Sequence, residues 1–373
     1  MPQNHVVTSI AARAASIPFR LVRRAPFAPP RKALILHPCC ISQVMLATPL
    51  LTVLKRAYPQ AQFDWAVSDW ARPAIAGNPL LTELIRTGDT AVSPLSWSEI
   101  HALIQQLRQE QYDTCFIPGR SSLLAYVAWR AGVPQRVGIN VRGYGFAHTL
   151  PVLPPAGERH TAVVYLALAK AIGVDTDAEG RLPMAFYPSD AARTAVTKRL
   201  IDDMEWLGDV PLVIMHPGGG TGLGHTHKNK QWPVERFVRL GNYLVRKHKA
   251  RLLLVGSRQE EALAADIVGM MPVPVASWTG RVSLSEIGAL GEMADLYVGN
   301  DTGPTHIAAA VGCPTLAIFG PSDPAISAPY GAEGKVTVLW KEWEGGGRPF
   351  TWENGVGVSE AQKAADKLLA RKT

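Results

Sequence analysis

Three segments of this sequence set glycines, a cation and carboxylates where the chain leaves a strand. The densest is Val298-Gly-Asn-Asp-Thr-Gly-Pro-Thr-His306. Its pattern predicts a strand over 296–298 and a helix from Pro304, because proline gives up an amide that is unbonded at the first helical position anyway. Gly303 at the cap lets backbone approach a ligand closely. The amides of Thr305, His306 and Ile307 would offer an anion the positive end of the helix dipole. Asp301 can accept hydrogen bonds from sugar hydroxyls. An ordinary capped helix start accounts for the same residues.

The second segment is His216-Pro-Gly-Gly-Gly-Thr-Gly222, followed by Lys230-Gln-Trp-Pro233. Consecutive glycines allow amides to line an anion pocket. Lys230 can neutralise phosphate or remain a solvated charge, and Trp232 can anchor the loop. His225 and His227 read as solvent-exposed loop residues, not metal ligands. The third segment, Val255-Gly-Ser-Arg-Gln-Glu260, puts a carboxylate after a strand. It suits a ribose hydroxyl, or simply a helix start.

These segments need an alternation of strands and helices to hold them. Strands are predicted at 33–36, 63–67 and 114–117, and helices at 44–57, 99–109 and 123–131. Pro49 is expected in or near an early turn of its helix, and Ser98 as an N-cap. After a Pro-rich stretch around Pro183 and Pro188 the alternation restarts. Strands are predicted at 212–215, 252–255, 296–298 and 315–319, and helices at 234–245, 260–268, 284–293 and 305–311. A last helix is expected near 359–370. The fold class is therefore α/β, with two doubly wound Rossmann-like domains facing a central crevice and ligands at strand carboxyl ends.

Length and composition agree: 373 residues suit two domains, and 47% hydrophobic content can fill two cores. Cys39, Cys40, Cys115 and Cys313 match no zinc spacing and read as reduced thiols of a cytosolic protein. Residues 1–32 carry Arg13, Arg20, Arg23, Arg24, Arg31 and Lys32 with no acid, six of the net +7. The remainder is nearly neutral and gives no reason to invoke nucleic acid. The basic segment reads as a disordered tail, a membrane-surface segment drawn to anionic lipid, or a transit peptide. No apolar run approaches the roughly 18 residues of a membrane span.

The stretch Asp301-Thr-Gly-Pro-Thr-His-Ile-Ala-Ala-Ala-Val-Gly-Cys-Pro-Thr-Leu-Ala-Ile-Phe-Gly-Pro321 resembles the signature of the ADP-heptose heptosyltransferases, glycosyltransferase family 9. Lys230-Gln-Trp-Pro233, the run Gly256 to Glu260, Thr279-Gly280, Ala47-Thr-Pro-Leu-Leu51, Tyr58-Pro59 and Gly77-Asn-Pro79 are similar to the family as well, and Tyr112-Asp113 through Arg136-Val-Gly138 more loosely. The resemblance spans roughly residues 32–370. It implies a GT-B fold and an inverting, metal-independent transfer from a nucleotide-diphospho-sugar, ADP-heptose in the family, to a lipid-linked or cell-surface glycan. No cofactor is implied, and the setting is the cytoplasm, at the inner face of the membrane. By position, Thr302, Gly303 and His306 would meet the diphosphate, Asp301 the sugar, Lys230 and Thr221 phosphate or sugar, and Glu260 the ribose.

One departure bears on catalysis. After the first strand the family has a Gly-Asp pair whose Asp is the general base. Here Ser42 and Gln43 stand at those positions, and a carboxamide cannot take a proton at neutral pH. His37 and Asp69 are the nearby alternatives, although His37 reads more readily as a buried structural residue. The resemblance therefore leaves three readings: an active glycosyltransferase, a nucleotide-sugar-binding pseudo-enzyme or partner subunit, and an epimerase or hydrolase of the same fold. The expected domains are 1–32 (basic tail), 33–185 (acceptor side), 186–355 (nucleotide-sugar side), and 356–373, a helix packing back toward the N-terminal domain.

Overall fold

The computed structural model describes residues 26–88, 96–178, 180–222, 225–331, 334–343 and 349–370. The chain forms two compact units, one of residues 1–72 and 78–182, the other of residues 73–77 and 183–373.

The first unit is built on β1 (Lys32–Leu36), β2 (Gln62–Val67), β3 (Leu84–Arg86), β4 (Thr114–Ile117), β5 (Gln135–Ile139) and β6 (Leu150–Val152). They form one six-stranded sheet in the order β3-β2-β1-β4-β5-β6, and every pairing is parallel. Helices α1 (Ile41–Ala57), α2 (Trp97–Gln109), α3 (Ser122–Arg130) and α4 (Thr161–Lys170) connect and flank the strands. Near-continuous burial along β1 and β4 reflects cover on both faces.

Three local predictions change here. Helix α2 is capped by Ser96, not Ser98: its side chain accepts from the Glu99 amide, and Glu99 answers at the Ser96 amide. Helix α1 begins at Ile41, so Gln43 lies in its first turn and Pro49 in its interior. The carbonyl that Pro49 leaves without a helical donor is that of Met45, and the Thr48 hydroxyl donates to it at 2.7 Å. The basic segment also ends sooner than residue 32. Ala28 exchanges two hydrogen bonds with the Gln135 side chain, the Arg31 amide donates to Asp113, and Lys32 opens β1 with its ammonium on Glu110 at 2.7 Å. Arg13, Arg20, Arg23 and Arg24, and with them the membrane reading of the tail, lie outside the described residues.

The second unit repeats the plan. Its sheet holds β7 (Leu212–His216), β10 (Arg251–Leu254), β11 (Ala276–Ser277), β12 (Leu296–Asn300), β13 (Thr315–Ile318) and β14 (Val336–Leu339). The order is β11-β10-β7-β12-β13-β14, again parallel throughout. A separate hairpin pairs β8 (Thr221–Gly222) with β9 (His225–Thr226). The helices are α5 (Asp190–Met204), α6 (Val234–His248), α7 (Glu261–Met270), α8 (Leu284–Met293), α9 (Gly303–Ala310), the short α10 (Pro324–Ser327) and α11 (Val358–Leu369).

Strand alternation splits the core of this unit in two. Val213, Met215, Leu252, Leu254, Val298 and Ile318 pack with Phe237, Leu240 and Leu244 of α6 and with Ala361, Ala365 and Leu368 of α11. Leu212, Ile214, Leu253 and Tyr297 face the other way, onto Val196 and Leu200 of α5 and Leu290 of α8. Each fully buried aliphatic side chain contributes about 1.5–3 kcal/mol. The sequence reading had α11 packing back toward the N-terminal domain. Its apolar stripe is instead buried on α6 and the sheet of its own unit.

Both sheets have the strand order in which the direction of winding reverses between the first and fourth strands. That reversal lies between β1 and β4 in one unit and between β7 and β12 in the other. His37 leaves the first reversal point, and His216 and Asp301 leave the second.

Candidate donor and acceptor sites

At the β7–β12 reversal, His216 ends one strand, and Asp301 follows Asn300, which ends the other. Gly299 is in register with His216. Asn300 is fully buried. Its carboxamide nitrogen donates to the carbonyls of Pro217 and Gly218, each at 2.9 Å, and its oxygen accepts from the Trp232 amide at 3.1 Å. One side chain thus ties the Gly-rich loop and the Lys230 segment to the strand that carries Asp301. Trp232 anchors that segment as expected: it is buried, and its indole donates to the Val356 carbonyl.

Asp301 is buried and meets two groups. Lys230 Nζ binds its Oδ2 at 2.7 Å. His306 Nε2 lies 3.9 Å from its Oδ1, too far for a hydrogen bond but close enough for charge to be felt. Burial, the largest influence, pushes the Asp301 carboxyl up; the His306 ring and the Lys230 ammonium outweigh it and hold the group well below the ordinary carboxylate range. His306 is fully buried with no hydrogen-bond partner for either ring nitrogen. A buried polar group left so is uncommon and suits a ligand that completes it.

Helix α9 starts one residue earlier than its sequence suggests. Thr302 is the N-cap, Gly303 the first helical residue and Pro304 the second. The His306 amide bonds the Thr302 carbonyl at 3.4 Å, so the amides left for an anion by helix geometry are those of Gly303 and Thr305, not of His306 and Ile307. Gly220, at φ +78°, brings the Gly-rich loop against Thr302. A side chain at Gly218 would collide with the Glu260 carboxylate, and one at Gly219 with the His227 carbonyl.

Glu260 is buried beneath this loop and caps the short 3-10 turn Arg258–Glu260. Its Oε2 accepts from the Ser257 amide and hydroxyl at 2.8 and 2.9 Å and lies 3.4 Å from His216 Nε2. Burial would raise the carboxyl, but the His216 ring and the Ser257 bonds prevail and hold it at about 2. Its Oε1 has no hydrogen-bond partner. Lys230, Glu260, Asp301, Thr302, Gly303 and His306 therefore gather around one reversal point. Thr221 is placed only as backbone, in the β8–β9 hairpin, and His227 is exposed.

In the first unit, Gln43 is half-buried and its Oε1 accepts from the Tyr165 hydroxyl of α4 at 2.7 Å. His37 packs edge-on to the Tyr165 ring, with centroids 5.1 Å apart. It is buried, Nε2 has no hydrogen-bond partner, and burial lowers its pKa to about 4 against the pull of a backbone hydrogen bond at Gln43. The imidazole is thus neutral at neutral pH and a weak base. Asp69 is occupied: Arg86 binds both of its oxygens, at 2.7 and 2.6 Å, and lowers its pKa.

Sequence reasoning assigned no role to Asn300, His216 or Tyr165. The first two were legible as polar residues ending apolar strands at the reversal point. Tyr165 sits within an apolar helix more than a hundred residues from Gln43, and no local pattern marks the pairing.

Two parallel sheets of this winding, each with polar residues at its strand reversal, are those of the GT-B fold. Residues 100–346 match the family described as "Glycosyltransferase family 9 (heptosyltransferase)", and the chain belongs to that family. It is 25% identical over 315 residues to lipopolysaccharide heptosyltransferase 2 of Escherichia coli K12, covering 83% of this chain and 88% of that protein. The fold is similar to that of a family 9 glycosyltransferase from Veillonella parvula, at TM-score 0.77 and 20% identity over 91% of this chain and 97% of that one. It is similar also to an E. coli heptosyltransferase solved with ADP-2-deoxy-2-fluoro heptose, at TM-score 0.64 and 18% identity over 92% and 100% of the two chains.

Proposed function

We propose that this protein is a glycosyltransferase that takes a sugar from a nucleotide-diphospho-sugar bound at the β7–β12 reversal and passes it to a lipid-linked or cell-surface glycan. The observation that carries this reading is the buried, unpartnered His306 beside the Lys230–Asp301 pair at the start of α9. The diphosphate lies on the amides of Gly303 and Thr305, with Lys230 and His306 supplying charge and hydrogen bonds. Asp301 holds Lys230 and turns its remaining acceptor capacity to the sugar. Glu260 Oε1 serves the ribose, and Thr221 approaches phosphate or sugar from the hairpin. The E. coli protein solved with an ADP-heptose analogue supports ADP-heptose as the first donor to test. The transfer inverts the anomeric centre and calls for no metal or cofactor, with charge handled by side chains and amides. The basic residues of the N-terminal segment hold the protein at an anionic cytoplasmic membrane surface, close to a lipid-linked acceptor.

Gln43 favours a second reading, a catalytically impaired nucleotide-sugar-binding protein. Its Oε1 is taken by Tyr165, and the neutral His37 behind it is a poor base. General-base help is worth roughly 10²–10⁴-fold. Slow turnover with intact donor binding is the expectation. Product formation from ADP-heptose and a truncated lipopolysaccharide acceptor, by wild type, Gln43→Asp and His37→Ala, separates the readings. Gln43→Asp should raise transfer. Fast wild-type turnover that survives His37→Ala and falls in Gln43→Asp would contradict the view of Gln43 as a missing base.

A further inference from the structure

Four buried side chains run in a line beneath the β7–β12 reversal: Glu260, His216, Thr302 and Thr305 are 3%, 1%, 3% and 1% exposed. Glu260 Oε2 lies 3.4 Å from His216 Nε2, His216 Nδ1 lies 3.2 Å from Thr302 Oγ1, and Thr302 Oγ1 lies 3.2 Å from Thr305 Oγ1. The line ends where Thr305 Oγ1 meets the Asn300 carbonyl at 2.6 Å.

The hydrogens can be counted from either end. A carbonyl only accepts, so the Thr305 hydroxyl gives its one hydrogen to Asn300. The Thr302–Thr305 contact must then use the one hydrogen of Thr302. At the other end, Glu260 Oε2 already accepts from Ser257 twice, and Oε1 has no hydrogen-bond partner to which a proton on it could be given. Glu260 is thus a carboxylate, and His216 Nε2 must carry a hydrogen toward it. What remains is the His216 Nδ1–Thr302 contact. Thr302 has no second hydrogen to give. A neutral ring would leave two lone pairs facing each other at this contact or the next, in a place closed to water, where an unmade hydrogen bond is costly.

We infer that His216 is an imidazolium ion, held by Glu260, and that it is a positioning residue for the donor diphosphate. With hydrogens on both ring nitrogens every contact in the line is satisfied. Nε2–H faces Glu260, Nδ1–H donates to Thr302 Oγ1, Thr302 donates to Thr305, and Thr305 donates to Asn300. Thr302 Oγ1 is fixed as an acceptor on its inner side. Its own hydrogen stays on Thr305, so Thr302 locks the ring behind the start of α9, where a phosphate oxygen would arrive, without itself donating to it. The fixed positive charge behind the helix cap adds to the attraction for that phosphate. The Glu260 carboxylate keeps the buried pair neutral overall, which offsets the cost of burying a charged ring.

This inference rests on the donor site proposed above, and the test keeps the two apart. Nitrogen-15 NMR of the unliganded wild-type protein at neutral pH, with the His216 ring assigned by its loss in His216→Gln, reads the protonation of each ring nitrogen. Two protonated nitrogens are expected; one bare nitrogen overturns the inference. Calorimetric titration with ADP gives the functional half. His216→Gln and Thr302→Val should each lose about tenfold or more in affinity, while Thr302→Ser, which keeps the hydroxyl, should bind like wild type. Undiminished binding by Thr302→Val overturns the positioning role even if His216→Gln fails to fold. Absence of ADP binding by the wild type would overturn the donor reading itself, whatever the charge on the ring.

Discussion

At the scale of single residues, the two reversal points put histidine to different uses. His216 has a carboxylate beside it, whereas His37 packs against the hydroxyl-bearing ring of Tyr165 and, among the described residues, has no carboxylate paired with it. Burial without a counter-charge keeps His37 neutral in the folded state down to about pH 4, against an ordinary value of 6.5. The unfolded chain therefore binds a proton in that window that the folded chain refuses. The stabilisation is fully present above about pH 6.5 and is lost as the pH falls toward 4, amounting to roughly 3 kcal/mol at most. Urea unfolding midpoints should fall across this window in the wild type and fall less in His37→Gln. Equal slopes would show that His37 does not carry the effect. His37 as a titratable group at a strand end was legible in the sequence. So was its reading as a buried structural residue, which its 2% exposure bears out; its neighbours Tyr165 and Gly119 were not, because they arrive from distant elements.

At the scale of elements, most strands and helices were readable because parallel strands covered on both faces become short apolar runs. The errors fell where side chains override local pattern. Proline inside α1 argued for a helix start, but the Thr48 hydroxyl supplies the hydrogen bond that Pro49 cannot. Thr48→Val keeps the shape and leaves the buried Met45 carbonyl without that donor. It should cost about 1–3 kcal/mol in urea unfolding with little change in fold. A cost near zero would mean that the carbonyl finds another partner. The start of α9 was misplaced in the same way: Pro304 suits the second helical position as well as the first, and Thr302, not Gly303, is the cap. The candidate donor residues were legible nonetheless, since glycine, proline, carboxylate and histidine at one strand-to-helix junction form a local pattern. Asn300 was legible only as a polar residue ending an apolar strand; the bonds by which it joins three segments across the fold left no local pattern.

At the scale of the whole molecule, one architectural plan occurs twice with different chemistry at the reversal. The second unit gathers a lysine, two histidines, two carboxylates and a helix start. The first offers a carboxamide, a tyrosine and a neutral histidine. Binding and proton removal are thus unequally provided for, and so donor affinity and turnover are expected to separate. Among the described residues no helix is long and apolar enough to cross a membrane, and the proposed membrane contact rests on the basic residues of the N-terminal segment alone. Flotation with anionic liposomes should be salt-sensitive and should weaken when residues 1–25 are removed, at about 1 kcal/mol per basic residue near the surface. Equal flotation of both forms would end that proposal.

The central claim is that the β7–β12 reversal of the second unit binds a nucleotide diphosphate through Lys230 and His306, whatever becomes of catalysis at Gln43. Calorimetric titration of ADP into wild type, Lys230→Ala and His306→Ala tests it most directly. The wild type should bind, and each substitution should weaken binding by about 1.5–3 kcal/mol, as expected for hydrogen bonds to charged groups. Unchanged affinity in both variants would contradict the assignment of this site.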